Sequence, residues 1–539
     1  MKSKIIKDAI HGYISIDERF FYYVDSHEFQ RLKNIRQTSY SSLYPSSLHD
    51  RFTHSLGVFK LGQDAYDSIS KNTLCINSIN QELFDRYKDT FLLACLLHDV
   101  GHSPFSHTSE YHYFIKHDDK YIYAVNKRLI NLLNSKHFEN DFSDKLKGKK
   151  KFTPHEIMSC IVSLSSLFKE ENNIKIDKEL FTRMIIGLPY SRICDVPKNE
   201  IEFKNCLIQI LNSSTIDVDK LDYLMRDQAM AGFKGIEIDV ERLLNSLILC
   251  KNSKDEICLA FKKSAISVIE NVIFARDYEK KWLQNYGVVL YESFLVDNMI
   301  KKIEHKYENL FTEESLGITG IELPKTGFHL RLLCDSDVFF LGKQFITDDH
   351  YVKEYFSRSC RKKPIWKSEA EYNVSYSEIG DSLKKKLNNS ISYLFDFFNT
   401  RNIRSIEFTP IILSDETINE LVKDMEKRAE DDKDAIEKAI KYLNAFKKTF
   451  SNFDIDFDGV LLKANKFKSG ISKLDESELN IYFGESQDVR NFRSIVSFLR
   501  EFNIPSDDNS DCYFYVFCNT KNKINPIDFI NKLSSNLCA

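Results

Sequence analysis

The apolar run Phe91-Leu92-Leu93-Ala94-Cys95-Leu96-Leu97 leads directly into His98-Asp99-Val100-Gly101-His102-Ser103-Pro104-Phe105-Ser106-His107. No other stretch restricts so strongly what the chain can become. The run reads as a buried helix whose last turn carries His98 and His102, four apart, on one face. Gly101 and Pro104 end that helix. Imidazoles beside a carboxylate at the end of a buried element suit a hard or borderline divalent metal. One His-Asp pair alone would read more simply as a structural hydrogen bond. The added histidines shift the reading toward chemistry.

Of 14 histidines, 11 lie at or before His155, and the remaining 384 residues hold three. Imidazole chemistry therefore belongs to the first third of the chain. A hydrophobic content of 42% and a charged content of 29% describe an ordinary globular protein. By length, roughly two to four domains fit. The net charge of −4 argues against a general nucleic-acid or membrane binder. Twelve cysteines are scattered without a CxxC pair or zinc-finger spacing, as reduced thiols are. The opening residues lack the apolar core of a signal peptide, and no apolar run nears the roughly 20 residues of a bilayer span. The expectation is a cytoplasmic protein with no membrane partner.

Along the chain, Asp8-Ala9-Ile10-His11-Gly12-Tyr13-Ile14-Ser15-Ile16 alternates as a small hairpin or edge strand does. Glu28 to Gln37 reads as an amphipathic helix with Phe29, Leu32 and Ile35 inward. Asp50-Arg51-Phe52-Thr53-His54 opens another helix. Residues 118–152, polar and lysine-rich toward Lys151, read as a solvated insertion. Thr153-Pro154-His155 restarts a helix with an N-cap and a first-turn proline. In Asp217-Val218-Asp219-Lys220-Leu221-Asp222-Tyr223-Leu224-Met225-Arg226-Asp227, the residues Asp219, Tyr223 and Asp227 share one helix face. Asp222 and Arg226 point elsewhere. Taken alone, that stripe is a solvated face. Residues 265–311 are strongly helical.

After about Thr312 the character changes. Gly317 to Gly327 reads as a connection. Ser405 to Leu413, Val460 to Leu462 and Cys512 to Phe517 read as strands, and residues 415–450 as a charged, exposed helix. The expected architecture is mainly α. An all-helical core domain covers 1–311, with the 118–152 insertion inside it. A mixed α+β region over 312–539 serves oligomerisation or regulation, with a further boundary near 400.

The polar groups at helix ends assemble into a chemical proposal. His54, His98, Asp99 and Asp219 offer two imidazoles and two carboxylates, a sensible set for Mn, Fe, Co, Ni or Zn. A metal so held lowers the pKa of bound water and polarises a phosphoryl oxygen. His102, His107 and His155 remain for acid–base work or for holding phosphate oxygens. Glu110, three residues after His107, can orient that ring. Arg51, Lys220 and Tyr223 fit a phosphorylated substrate with a ring to stack. Neither the P-loop nor the Rossmann fingerprint is present.

A separated His, an adjacent His-Asp and a later Asp resemble the pattern of the HD-domain phosphohydrolase superfamily. Four segments resemble its deoxynucleoside triphosphate triphosphohydrolase (dGTPase-like) branch: Phe29 to Leu32, Arg51 to Val58, Leu97 to His107 and Ile216 to Asp227. Asp8 to Gly12 resembles the opening of that family. The likeness covers residues 4–310 well and the remainder poorly.

The resemblance implies a divalent metal (Mn, Fe, Mg, Co, Ni or Zn) on His54, His98, Asp99 and Asp219, and it favours Asp219 over Asp217. It allows a second Mg or Mn with the substrate phosphates. By the same matching His102, His107 and His155 surround the α-phosphate, with Glu110 as carboxylate partner and His107 as proton donor to the leaving 5′-oxygen. Arg51 and Lys220 look like phosphate ligands, and Arg276 like a γ-phosphate ligand. Tyr223, Asp227 and Gln37 look like contacts to the sugar. The implied reaction is hydrolysis of a dNTP at the α-phosphorus to deoxynucleoside and triphosphate.

Family members form tetramers or hexamers, and many take an activating nucleotide. Lys33 and Lys7 depart from the pattern of regulated relatives, while Asp25 could read guanine. The unmatched C-terminal region suits a regulatory input, such as a signalling nucleotide or a phage-derived trigger in antiviral defence. The resemblance also allows single-stranded nucleic acid in an oligomer groove, a partner for which the sequence itself offers no support. Two alternatives stand beside this reading: an HD-domain phosphohydrolase acting on a nucleoside monophosphate or signalling nucleotide, and a nucleotide-sensing regulator without activity. His11, His49, His112 and His117 read as surface or core histidines.

Overall fold

The computed structural model of the chain describes residues 2–38, 43–73, 79–113, 119–148, 152–168, 174–191, 196–308, 310–401, 410–427, 430–464, 479–484, 488–496, 513–521 and 523–538. The fold is mainly helical, with strands gathered into small sheets. Two compact units emerge, neither continuous in sequence. The first comprises Met1–Lys280, Ile303–Leu341 and Lys468–Ile504. The second comprises Lys281–Lys302, Gly342–Phe467 and Pro505–Ala539.

The first unit opens with an antiparallel hairpin, Ser3–Asp8 against Gly12–Asp17. Its alternation buries Ile14 and Ile16 and exposes the residues between. Next come the short helix His27–Arg31 and a tight turn over Leu32–Asn34, where the sequence suggests one longer helix. Phe29, Leu32 and Ile35 are all fully buried, so the apolar stripe is as expected. The helix stops because the chain becomes extended at Ile35 and Arg36 pairs with Asp50 as an isolated bridge.

Two long helices, Arg51–Asn72 and Gln81–Leu97, pack on each other, and Val218–Ala231 packs on the first. Side chains at the N-cap start each of them: Asp50 accepts from Thr53 N, Asn80 from Leu83 N and Asp217 from Lys220 N. Each such cap contributes about 1 kcal/mol. Phe91 to Leu97 is buried on every side, and burying each large apolar side chain stabilises by about 1.5–3 kcal/mol. Gly57 allows the close approach of two of these helices. A Cβ there would stand 1.9 Å from Asp222 Oδ1.

Within residues 118–152 the described part forms two helices, Asp119–Leu133 and Lys136–Lys147. Phe138 and Phe142 bury one face of the second. Lys149 to Lys151 and His117 lie outside the described residues. The long helical stretch from 265 divides into Ile266–Glu279 and Gly287–Tyr307.

A four-stranded sheet in this unit has no counterpart in the sequence reading. Leu247–Lys251 pairs antiparallel with Ile257–Lys262, which takes Asn480–Phe483 in parallel, and Asp488–Asn491 completes it. The first two strands are apolar runs around the turn at Asn252–Asp255, a hairpin signature. The other two arrive from more than 200 residues later in the chain.

The second unit is built on a sheet ordered Lys363–Pro364, Phe514–Cys518, Asp458–Lys463, Ile411–Ser414. The last three coincide with the strand-like runs, apart from residues 402–409 and Cys512, which lie outside the described residues. Helices Asp381–Arg401, Glu430–Asn452 and Pro526–Cys538 pack together beside it. Trp366 is fully buried in this core, and its Nε1 donates to the Phe514 carbonyl at 2.8 Å. The charged stretch 415–450 is not one exposed helix but two, Asp415–Met425 and Glu430–Asn452. Ile436, Ala439, Leu443, Phe446 and Phe450 bury a stripe of the second at helical spacing. High charge on the other face masks that stripe in composition.

Candidate active site

The ends of three helices bring two imidazoles and two carboxylates together. His54 lies in the first turn of Arg51–Asn72, His98 caps the C-terminus of Gln81–Leu97, and Asp219 lies in the first turn of Val218–Ala231. The Nε2 atoms of His54 and His98 are 3.3 Å apart. Asp219 Oδ1 stands 3.0 Å from the first and 3.7 Å from the second. Asp99 approaches both, Oδ2 at 3.6 Å from His54 Nε2 and Oδ1 at 3.6 Å from His98 Nε2.

The opposite ring nitrogens fix both tautomers. His54 Nδ1 donates to Asp222 Oδ2 at 2.7 Å, and His98 Nδ1 donates to the Cys95 carbonyl at 2.9 Å. Both Nε2 atoms therefore face the same point, with Asp219 Oδ1 beside them. Ligands on a tetrahedral ion about 2.1 Å away lie roughly 3.4 Å from one another, so His54, His98 and Asp219 are grouped as a divalent metal requires. Asp99 borders the group but reaches each imidazole with a different oxygen, and Arg51 holds its Oδ2. Charge agrees with geometry. Burial opposes a proton on His54, yet Asp219, Asp222 and Asp99 raise its pKa to about 10, so the site favours positive charge. Asp99 is buried as well, and Arg51 with the flanking imidazoles holds its carboxyl below the usual range.

Asp217 stands apart from this group. Its carboxylate caps the helix and accepts from Ser213 N at 2.8 Å and from Lys220 Nζ at 2.5 Å. Burial pushes its pKa up despite Lys220.

A second cluster adjoins the first. The rings of His102 and His155 stack with centroids 4.2 Å apart, and His107 stands edge-on to both at 5.1 Å. Glu110 lies beneath. It accepts from His155 Nδ1 at 2.5 Å and from His107 Nδ1 at 3.3 Å. His102 Nε2 is 3.6 Å from Asp99 Oδ1, which joins the two clusters.

The electrostatics differ ring by ring. Burial disfavours charge on His155, but Glu110 holds its pKa up to about 9. Burial, Arg51 and the other imidazoles press His102 well below the ordinary value, so it is neutral at pH 7. Glu110 is buried too, and the two imidazoles keep its carboxyl low. His107 is the exposed member, with 62% of its side chain accessible.

The remaining predicted residues are distributed around these clusters. Arg51 is buried and spans Asp99 Oδ2 at 2.7 Å, Ser106 Oγ at 2.9 Å and the Gln37 carbonyl at 3.3 Å. Tyr223 lies in the field of Arg276, Asp219 and Asp217, and burial raises its phenol pKa. Asp227 accepts from His49 Nε2 at 2.8 Å, and the His49 carbonyl accepts from Gln37 N at 2.9 Å. Among the described residues Gln37 Oε1 and His49 Nδ1 are buried without a hydrogen-bond partner. Lys220 and Arg276 are not drawn into either cluster. Lys220 turns to Asp217 and the Ser213 carbonyl, and Arg276 Nη1 donates to the carbonyls of Ser214 at 2.9 Å and Thr215 at 3.3 Å.

Several supporting residues escape a reading by sequence. Asp222 accepts from His54, from His11 Nε2 at 2.6 Å and from Arg226, whose guanidinium also spans Asp8. His11 and His49 are thus core histidines, as expected, each paired with a buried carboxylate, and His112 likewise pairs with Glu304 at 2.6 Å. Asp222 and Arg226 do leave the stripe of Asp219, but toward His54 and Asp8. Arg31 donates to the carbonyls of Val100 at 3.0 Å and His102 at 2.7 Å, tying down the loop between the clusters. Asp335 accepts from Phe105 N and Arg36 N, and burial raises its pKa to about 6. Phe105 and Ser106 occupy the left-handed region at φ 58° and 53°, strain that these ties sustain.

Comparison with known proteins agrees with this layout. Residues 51–158 match the HD domain family. An uncharacterized protein of Mycoplasma genitalium is 29% identical over 283 residues, covering 52% of this chain and 55% of that one. A Dictyostelium discoideum protein named as a deoxynucleoside triphosphate triphosphohydrolase SAMHD1 homolog is 29% identical over 269 residues, 48% of this chain and 42% of its own. The chain thus spans about half the length of these two relatives or less. A hypothetical protein from Aquifex aeolicus, whose structure is solved, shares the fold at a TM-score of 0.50 and 17% identity, with 99% of this chain and 100% of that one covered. HD domains bind divalent metals, and no helix among the described residues is long and apolar enough to cross a membrane. Residues 51–158, the stretch that matches the HD domain family, carry His54, His98, Asp99 and all three rings of the second cluster.

Proposed function

We propose that this HD-domain protein hydrolyses deoxynucleoside triphosphates at the α-phosphorus, releasing deoxynucleoside and intact triphosphate. The observation that carries this reading is the 3.6 Å approach of His102 to Asp99. It sets an imidazole layer against a ligand group suited to a metal. The name of the Dictyostelium relative supports the substrate class.

His54, His98, Asp99 and Asp219 would hold a divalent ion, which would supply Lewis-acid polarisation of a phosphoryl oxygen and acidify bound water. The chain's own residues do the rest. His155 keeps its proton near neutral pH and so offers a cation to phosphate oxygens. Neutral His102 adds a hydrogen bond beside it. His107, exposed and oriented through Nδ1 by Glu110, presents its other nitrogen to the 5′-oxygen and delivers the proton that the leaving deoxynucleoside needs. Arg51, Lys220 and Arg276 exchange their present oxygen partners for phosphate oxygens. Gln37 and Asp227 take the sugar hydroxyl, and Tyr223 closes on the sugar face. A homo-oligomer with a nucleotide-binding regulatory site belongs to the same reading.

The test is to incubate metal-loaded protein with each dNTP, alone and in mixtures, and identify products by mass. Triphosphate with deoxynucleoside supports the reading. Orthophosphate or pyrophosphate as the sole phosphorus product overturns it in favour of a phosphatase of the same family.

A further inference from the structure

His102, His107 and His155 form a group distinct from the first in its chemistry. One nitrogen of each ring lies within 4.8 Å of the others, and no carboxylate belongs to the set. Glu110 receives Nδ1 of both His107 and His155. That is the support a carboxylate gives to metal-binding histidines, since it fixes the tautomer and leaves Nε2 as the free donor on each ring. His102 supplies the independent observation. It is fully buried, and among the described residues neither ring nitrogen has a hydrogen-bond partner. A buried polar ring without a partner is costly.

We propose that these three rings are a second cation site, an all-nitrogen pocket for a borderline ion such as zinc, and that filling it stops turnover. Zinc takes three protein nitrogens and an open fourth position, at about 2.0–2.1 Å. Bringing the three nitrogens to such a distance requires a small inward movement, and exposed His107 is free to make it. Glu110 and Asp99 balance the added charge. Ligand type separates the two sites. Imidazole nitrogens, with His155 releasing its proton as the ion binds, select zinc, cobalt, nickel or copper over magnesium and calcium, whereas the set with Asp99 and Asp219 also accepts harder ions. Inhibition follows from the lone pairs, because a metal on Nε2 of His107 removes the position from which that ring gives up a proton. This last step rests on the function proposed above, whereas the site itself does not.

The test uses the full chain, stripped by chelator and titrated with cobalt(II) in excess magnesium. Metal content and the visible ligand-field spectrum are the readouts. Two cobalt ions per chain are expected, falling to one in His107→Ala and to one in Asp219→Ala, with different spectra for the two remaining sites. His107 is exposed, so its substitution leaves the fold intact, and a thermal melt checks this. One ion per chain in the unaltered protein, or two in His107→Ala, overturns the site. Triphosphate release should fall at least tenfold as zinc fills the second site. Equal turnover at one and two zinc ions overturns the inhibitory role. Failure of every dNTP as substrate would appear separately, as no turnover at one ion, with the binding stoichiometry unchanged.

Discussion

His54 Nδ1 donates to Asp222 Oδ2 at 2.7 Å across 168 residues of chain. Both groups are fully buried, and His11 and Arg226 hold the carboxylate from its other sides. The pair aims His54 Nε2 at Asp219 and His98. Replacing Asp222 with Asn keeps the shape but weakens the orientation, and metal affinity should fall about 10–100-fold. Competition with a chelating dye measures it. Unchanged affinity would show that Asp222 serves packing alone.

The two carboxylates at the start of Val218–Ala231 should separate cleanly. Asp219→Ala removes a candidate ligand and should abolish tight metal binding at this site together with turnover. Asp217→Ala removes a helix cap, costs about 1 kcal/mol of stability and keeps most of the metal. Metal analysis of the two purified variants decides this, and the reverse pattern would assign the ligand to Asp217.

The Glu110–His155 pair makes stability depend on pH in a defined window. The folded pKa of His155 is raised from an ordinary 6.5 to about 9, so its contribution is complete below 6.5 and is lost as pH rises through 9. That of Glu110 is depressed from an ordinary 4.5, so its contribution is present above 4.5 and fades on acidification. The melting-temperature gap between the unaltered chain and Glu110→Gln should be widest between pH 4.5 and 6.5 and narrow toward pH 9. A gap constant across that range would contradict the pair's role.

Gly101 is required by close approach. A Cβ there would lie 2.2 Å from Ser159 N and 2.4 Å from the Met158 carbonyl carbon, backbone atoms of the helix that carries His155. Gly101→Ala should destabilise by about 1–3 kcal/mol and spread the histidine cluster. Urea unfolding and turnover should decline together, and an unaltered urea midpoint would refute the contact.

These relationships mark where sequence stops being informative. The helix ends at His54, His98 and Asp219 were legible because each is a local event: an N-cap, an apolar run, a four-residue spacing. Their supports were not. Asp222 meets His11 across 211 residues and Arg226 meets Asp8 across 218, so only the packed fold pairs them. The same holds for strands 480–483 and 488–491, which return to the first unit from far along the chain. In residues 430–452 the buried stripe was present in the sequence but hidden under the charge of the opposite face.

In the second unit, Lys362 is fully buried between Glu354 at 2.7 Å and Asp458 at 3.0 Å. Lys362→Met leaves Glu354 buried without its cation and should cost about 3–5 kcal/mol. Adding Glu354→Leu should recover part of that loss. Denaturant titration of the single and double variants reads both values, and an additive double variant would show that the charges act independently.

Hydrolysis at the α-phosphorus, with His107 protonating the departing 5′-oxygen, fixes where the oxygen of water must end. Its most direct measurement is turnover of a dNTP in water enriched in oxygen-18, followed by mass analysis of both products. One heavy oxygen is expected in the triphosphate and none in the deoxynucleoside. Label in the deoxynucleoside, or a labelled orthophosphate or pyrophosphate in place of triphosphate, would contradict it.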